Sequence, residues 1–485
     1  MSRVYFSLST VFILLSLVKG STTPTQVHIA LAGADSNGNS NSMAVSWQTE
    51  ENTATSVVYY GTQPGDYQDV SQGKSSSYYE TFHHHVVIGP LTPDTTYYYK
   101  VGDGDGGYSQ EFKFRSAPLS SKNMNLTFAV FADLGLNNGD ATVNFLKSIQ
   151  DEVALIWHGG DVSYADDSFL HVGCATKFCY EQVWDDYMNE IEPIASALPY
   201  MTAVGNHEVE CHDPACLADS EKRDKLSNFS AYNTRFRMPS SESGSGALNM
   251  HFSFNYGPVH FISIDTETGY PGAAEETRYV LPCGGFEEQL GWLEDDLKKA
   301  NEERDVRPWV FVQGHHPMYQ GNSINKEFQV AMEDLFYTYG VDVYFSGHVH
   351  SYERDVPVYN GVIDPNGYNN PAATTYLMIG GAGNDEMHGA QVSAAAASGA
   401  TTVPSKPVVP GSSVPTEGQG KWRASTKNGA WTAVTDHDYF GIGKVTIMDE
   451  STLVFDYFRT GTGELHDSVT LKRDHSALAR KFKKH

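Results

Sequence analysis

The chain has 485 residues, 40% hydrophobic and 12% aromatic, enough for a large buried core and more than one domain. Fifty-nine acidic against 33 basic residues leave a net charge of −26. That field excludes nucleic acid and anionic membranes as partners, and an anionic substrate would need local positive charge, most simply from metal ions.

At the N-terminus Arg3 precedes an apolar run, Val4 to Val18, followed by Lys19-Gly20-Ser21. The run is short for a membrane span and fits a secretory leader, so residues 1–20 read as a signal peptide. No other stretch reads as a bilayer span. The mature chain is expected to be secreted or delivered to a vacuole or lysosome-like compartment, with no membrane attachment after cleavage. Cys174 with Cys179 and Cys211 with Cys216 are spaced for two local disulfide loops, leaving Cys283 over. A zinc–thiolate site is the weaker reading, because supporting histidine spacing is missing. Asn125-Leu-Thr and Asn228-Phe-Ser are glycosylation sequons.

Residues 24 to about 118 have an all-β texture: Met43–Trp47, Ser56–Tyr60, His85–Ile88 and Tyr97–Val101 alternate with turn residues. The pattern predicts a fibronectin-like β-sandwich of roughly seven strands. Within it, His83-His84-His85 has no carboxylate or cysteine partner recurring nearby, which favours a strand-edge or domain-interface role over metal binding.

Beyond Pro118, strands alternate with helices. Strands are predicted at Leu126–Ala132, Val153–Trp157, Pro199–Val204, Val259–Ile264, Pro308–Val312 and Val341–Phe345. Helices are predicted at Asn138–Gln150, Tyr180–Ala197, Phe286–Asn301 and Lys326–Tyr339. This is α/β texture with a largely parallel sheet over 119–475, and ligands bind such sheets at the carboxyl ends of the strands. A low-complexity stretch, about 389–420, reads as a long loop or disordered insertion. Lys444–Met448, Leu453–Phe458 and Ser468–Leu471 then read as closing hairpins. The basic end, Arg473 to His485, reads as a solvated tail, with 476–485 outside the domain.

Five of the predicted strands lead into chemically similar blocks. They are Asp133-Leu-Gly, Gly160-Asp161-Val-Ser-Tyr164, Gly205-Asn206-His207-Glu208, Gly314-His315-His316 and Gly347-His348-Val-His350. Singly, each block is an ordinary turn or cap. Five at one edge bring hard oxygen donors and imidazoles together, which is metal chemistry. Asp133, Asp161, Tyr164, Asn206, His315, His348 and His350 are too many donors for one ion, since one takes about four to six. Two ions sharing a carboxylate fit better, with Asp161 central in the series. Two metals about 3.5–4 Å apart form a clamp suited to in-line displacement at phosphorus.

The ordered set DLG, GDVSY, GNHE, VQGH and GHVH resembles the signature of the purple acid phosphatases, within the calcineurin-like metallophosphoesterases. The resemblance covers almost the whole mature chain, including the β domain and the Tyr439–Gly443 region of larger plant and fungal members. It implies an α/β fold in which the β-sandwich is followed by a two-sheet α/β/β/α domain. It also implies acid phosphatase activity on phosphomonoesters through attack by metal-bound hydroxide. One ion, Fe(III), would be held by Asp133, Tyr164 and His350. Asn206, His315 and His348 would hold the second, Zn, Fe(II) or Mn, with Asp161 bridging. Asn206, His207 and His316 are expected to meet substrate, and His207 to act as the catalytic proton donor. Plant members carry a further histidine nine residues beyond the fourth-block ligand, where this chain has Ile324. Small phosphoesters are the expected partners, and a homodimer is left open. The alternatives are a nucleotide pyrophosphatase or phosphodiesterase on the same metals, or a non-catalytic metal-bearing adhesion protein.

Overall fold

The computed structural model describes residues 21–170, 174, 177–211, 213–273, 284–384 and 428–482. The expected leader, the 389–420 segment, Cys283 and the last three residues lie outside them. No helix among the described residues is long and apolar enough to cross a membrane. Both expected disulfides, Cys174–Cys179 and Cys211–Cys216, are formed.

Residues 25–115 form a sandwich of two antiparallel sheets. Thr25–Leu31, Met43–Thr49, Thr81–Ile88 and Lys74–Tyr78 lie side by side in one. The other contains Asp69–Gln72, Val57–Gly61, Thr96–Asp103, Gly107–Tyr108 and Phe112–Arg115. There are nine strands where the sequence predicts about seven, because short edge strands such as Gly107–Tyr108 carry no periodic signal.

The following domain is two mixed sheets packed face to face. In the first, Tyr200–Thr202, Ile156–His158 and Leu126–Phe131 run parallel. Gly441–Ile447, Thr452–Arg459 and Glu464–Lys472 continue it antiparallel, and these are the closing strands expected from the sequence. In the second, Val259–Ser263, Trp309–Gln313, Val343–Ser346 and Thr375–Ile379 form a parallel centre. Antiparallel Phe252–Tyr256, Tyr352–Asp355 and Thr432–Asp436 complete it. The central strands are buried on both faces, which is why they read as unbroken apolar runs. Between the sheets, the Trp157 ring meets Phe261 at 5.0 Å and Phe345 at 5.8 Å, and Phe128 meets Phe261 at 5.1 Å. Helix Tyr180–Ala195 buries Val183, Trp184, Tyr187, Met188, Ile191 and Ile194, the 3–4 spacing of an amphipathic helix.

The basic end departs from the solvated tail expected of it. Arg473 and His475 are buried against Asp342 at 3.1 and 2.9 Å, beside Arg304 at 3.0 Å. Asp342 is fully buried and needs the two guanidinium cations of Arg304 and Arg473. The chain then forms helix Ser476–Phe482, whose Phe482 ring lies 5.3 Å from that of Tyr339.

The sandwich docks on the helix Tyr180–Ala195 and the segment around Arg235. Gln26 Nε2 donates to Asp185 Oδ1 at 2.9 Å, and Tyr78 OH to Glu181 Oε1 at 2.9 Å. Arg235, 1% exposed, pairs with Glu181 at 2.8 Å between the Tyr78 and Trp184 rings. The histidine triplet contributes here. His85 Nε2 meets Thr234 O at 2.9 Å, as His28 Nε2 meets Arg235 O at 3.0 Å. The strand carrying the triplet is interior to its sheet, so the domain-interface reading applies and the strand-edge one does not. His84 stacks on Trp47 with ring centroids 4.9 Å apart and bonds Thr49 and Ser56.

Burial lowers both His84 and His85 from their ordinary value near 6.5 to about 4. Between those values the unfolded chain binds protons that the folded chain refuses, so stability rises with pH there and is lost as pH falls from 6.5 to 4. Each histidine contributes a slope of at most about 1.4 kcal/mol per pH unit. Denaturant unfolding of His84→Gln across this window is expected to show a shallower dependence than wild type; parallel curves would refute the assignment.

Candidate metal centre

All five blocks lie where the parallel strands end, at one edge of the two-sheet sandwich. Four of the seven candidate ligands have left-handed backbone: Asp133 (φ 60°), Asp161 (φ 50°), Tyr164 (φ 57°) and His348 (φ 66°). This conformation costs a non-glycine residue about 1 kcal/mol or more and persists only where the surroundings enforce it. Two glycines make room. A Cβ at Gly205 would collide with the Asp161 carboxylate, and one at Gly347 with that of Asp133.

The side chains converge in two groups. Tyr164 OH lies 3.0 Å from Asp133 Oδ1, 3.0 Å from His350 Nε2 and 3.5 Å from Asp161 Oδ2. His350 Nε2 is 3.3 Å from Asp133 Oδ1. On the other side, His315 Nε2 lies 2.9 Å from Asp161 Oδ2 and 3.2 Å from Asn206 Oδ1. His348 Nδ1 is 2.8 Å from the same Asn206 oxygen. Donor atoms of Asp133, Asp161 and His350 lie within 4.8 Å of one another, as do those of Asp161, His315 and His348. Asp161 belongs to both groups.

The donor set fits two first-row ions. Carboxylate, phenol and imidazole on one side suit a hard ion, and amide plus two imidazoles suit a divalent one. Asp133 and Asp161 are buried, so a cation here answers a real electrostatic demand. Burial pushes the Asp133 carboxyl up. Burial also opposes ionisation of Asp161, yet His315 and His207 hold its carboxyl far below the usual range. The remaining nitrogen of His315, Nδ1, lies 3.0 Å from Gly159 O, which fixes the ring's orientation.

The other expected residues occupy different places. The His207 ring lies tilted against that of Tyr164, centroids 4.2 Å apart, with its Nε2 3.9 Å from Asp161 Oδ2. Its backbone N–H donates to Asp161 Oδ1 at 2.9 Å. His316 is beside the site but 5% exposed, with Nε2 3.0 Å from Glu267 Oε2. Ile324 is half-buried in a two-stranded hairpin, paired with Tyr319.

Among the supporting groups that sequence reasoning missed are Asp166, Glu208 and Asn384. Asp166, fully buried, meets His207 Nδ1 at 2.9 Å; its place two residues after Tyr164 was the available signal. Glu208 accepts from the backbone N–H groups of Asp161, Val162 and Gly205 at 2.8–2.9 Å, tying the second block to the third. Burial beside Asp161 pushes Glu208 up to about 8 against the pull of those donors. Asn384 N–H donates to Asp133 O at 3.1 Å, from a segment with no motif of its own.

Comparison with known proteins shows the family. Residues 24–116 match the model of the purple acid phosphatase N-terminal domain, and 126–352 that of the calcineurin-like phosphoesterases. Residues 412–468 match the iron/zinc purple acid phosphatase-like C-terminal model. Purple acid phosphatase 18 of Arabidopsis thaliana is 35% identical over 378 residues, covering 76% of this chain and 73% of that protein. Acid phosphatase A of Cryphonectria parasitica is 30% identical over 515 residues, covering 94% and 93%. The structure of purple acid phosphatase PPD1 from Lupinus luteus seeds superposes with a TM-score of 0.68 at 21% identity, covering 94% of this chain and 76% of that one, which shows the common fold. On sequence, domain order and fold together, the chain belongs to the purple acid phosphatases.

Proposed function

We propose that this acid phosphatase hydrolyses small phosphomonoesters at a centre where Asp133, Tyr164 and His350 hold Fe(III), while Asn206, His315 and His348 hold Zn, Fe(II) or Mn. Asp161 is shared by both ions. The observation that carries this reading is the meeting of two donor groups on one buried carboxylate. Bound metals would supply Lewis acidity for the phosphoryl oxygens and an acidified water as nucleophile.

The chain's own residues then do the rest. The Asn206 amide and His207 bind phosphate. Asp166 fixes the His207 ring through Nδ1, so that Nε2 faces the Asp161 side of the pocket. From there Nε2–H donates to the leaving oxygen as the ester bond breaks. Ile324 offers no proton, so this duty falls to His207. Secretion or vacuolar delivery is supported by the two local disulfides and by the exposure of Asn125 and Asn228.

Purified protein is expected to show a visible tyrosinate-to-Fe(III) charge-transfer band that disappears in Tyr164→Phe. A colourless, zinc-only wild-type protein would contradict the ferric assignment. Asp166→Asn is expected to lower kcat on p-nitrophenyl phosphate by about a hundredfold while leaving metal content intact. Unchanged kcat would remove His207 from proton transfer. The bis ester and ATP, run beside the monoester, separate phosphomonoesterase from phosphodiesterase and pyrophosphatase activity.

A further inference from the structure

The His315–His348 side of the centre leans on a turn that none of the five blocks contains. It follows the strand Val259–Ser263, and its side chains are almost wholly buried. Thr266 Oγ1 accepts from the backbone N–H of His315 at 3.0 Å and of His316 at 2.9 Å. The Thr266 hydroxyl in turn donates to Glu267 Oε1 at 3.2 Å. Glu267 is fully buried, and its other oxygen accepts from His316 Nε2 at 3.0 Å. Asp265 Oδ1 closes the turn by accepting from the N–H groups of Glu267 and Thr268. The His316 ring, held in this way, lies against the His348 ring with centroids 4.0 Å apart.

One turn therefore sets the backbone of His315 and the ring face of His348. The Asp133–Tyr164–His350 group touches this turn only through the His348 N–H that donates to Asp133, and is otherwise anchored elsewhere: the Asp133 backbone bonds Gly160 and Asn384, and Tyr164 packs on His207. An imidazole ligand binds well only when its lone pair is already aimed, and partners that fix its orientation are worth about 10–100-fold in metal affinity. We propose that the Thr266–Glu267 turn is a positioning device for the Asn206–His315–His348 metal site. His316 is then the wall that orients His348, and not a substrate contact. This rests on the two-metal reading above.

The test uses full-length protein, stripped by chelation and titrated with Zn²⁺, with bound zinc read by equilibrium metal analysis and folding by thermal unfolding. Wild type and Thr266→Ser, which keeps the hydroxyl, are expected to bind two zinc ions per chain. Thr266→Val and Glu267→Gln are expected to fill one site normally and the second about 10–100-fold more weakly. Glu267→Gln, nearly isosteric, serves where Thr266→Val does not fold. Two wild-type zinc affinities in the folded variants, or equal weakening of both, would overturn the proposal. So would a raised KM for p-nitrophenyl phosphate with zinc binding unchanged, which would make His316 a substrate contact. Fewer than two ions on wild type loaded with Fe(III) and Zn²⁺ together would overturn the two-metal reading itself.

Discussion

Asp161 is the residue on which the centre depends. Its carboxylate is 1% exposed, lies 2.9 Å from the His315 imidazole and 3.5 Å from the Tyr164 phenol, and accepts the His207 backbone N–H. A carboxylate so buried is tolerable only with positive charge beside it. The acidic surface outside makes the same demand on any anionic substrate, since −26 of net charge repels phosphate until cations concentrate at one edge. Burial of Asp161 and affinity for phosphate are thus linked requirements.

The scaffold meets them by gathering strand ends. Two sheets, stacked through Trp157, Phe128, Phe261 and Phe345, bring the ends of Leu126–Phe131, Ile156–His158 and Tyr200–Thr202 opposite those of Trp309–Gln313 and Val343–Ser346. Left-handed backbone at Asp133, Asp161, Tyr164 and His348 turns the side chains back toward the shared edge. Glu208 keeps two of the blocks in register. The spacing of His348 and His350 follows from the same geometry: one chain segment leaves its strand end and supplies an imidazole to each group, with Val349 between them.

Much of this was legible in the chain because each block is short, local and chemically distinctive. The strands preceding the blocks were equally legible as apolar runs. What escaped were long-range pairings. Strands Tyr352–Asp355, Thr375–Ile379 and Thr432–Asp436 join one sheet across intervals that no periodicity reports. The same holds for Arg473 and His475, whose basic surroundings hide a buried partner, Asp342, more than a hundred residues upstream. Asp166 and Glu267 were overlooked for another reason. An acidic residue beside a turn usually caps it, and only the fold shows that each faces a histidine.

The shared carboxylate is tested most directly by elemental analysis of Asp161→Ala against wild type, each folded and loaded with excess metal. Two ions per wild-type chain and loss of tight binding at both positions in the variant are expected if Asp161 serves both. Retention of one ion at wild-type affinity would contradict the bridge.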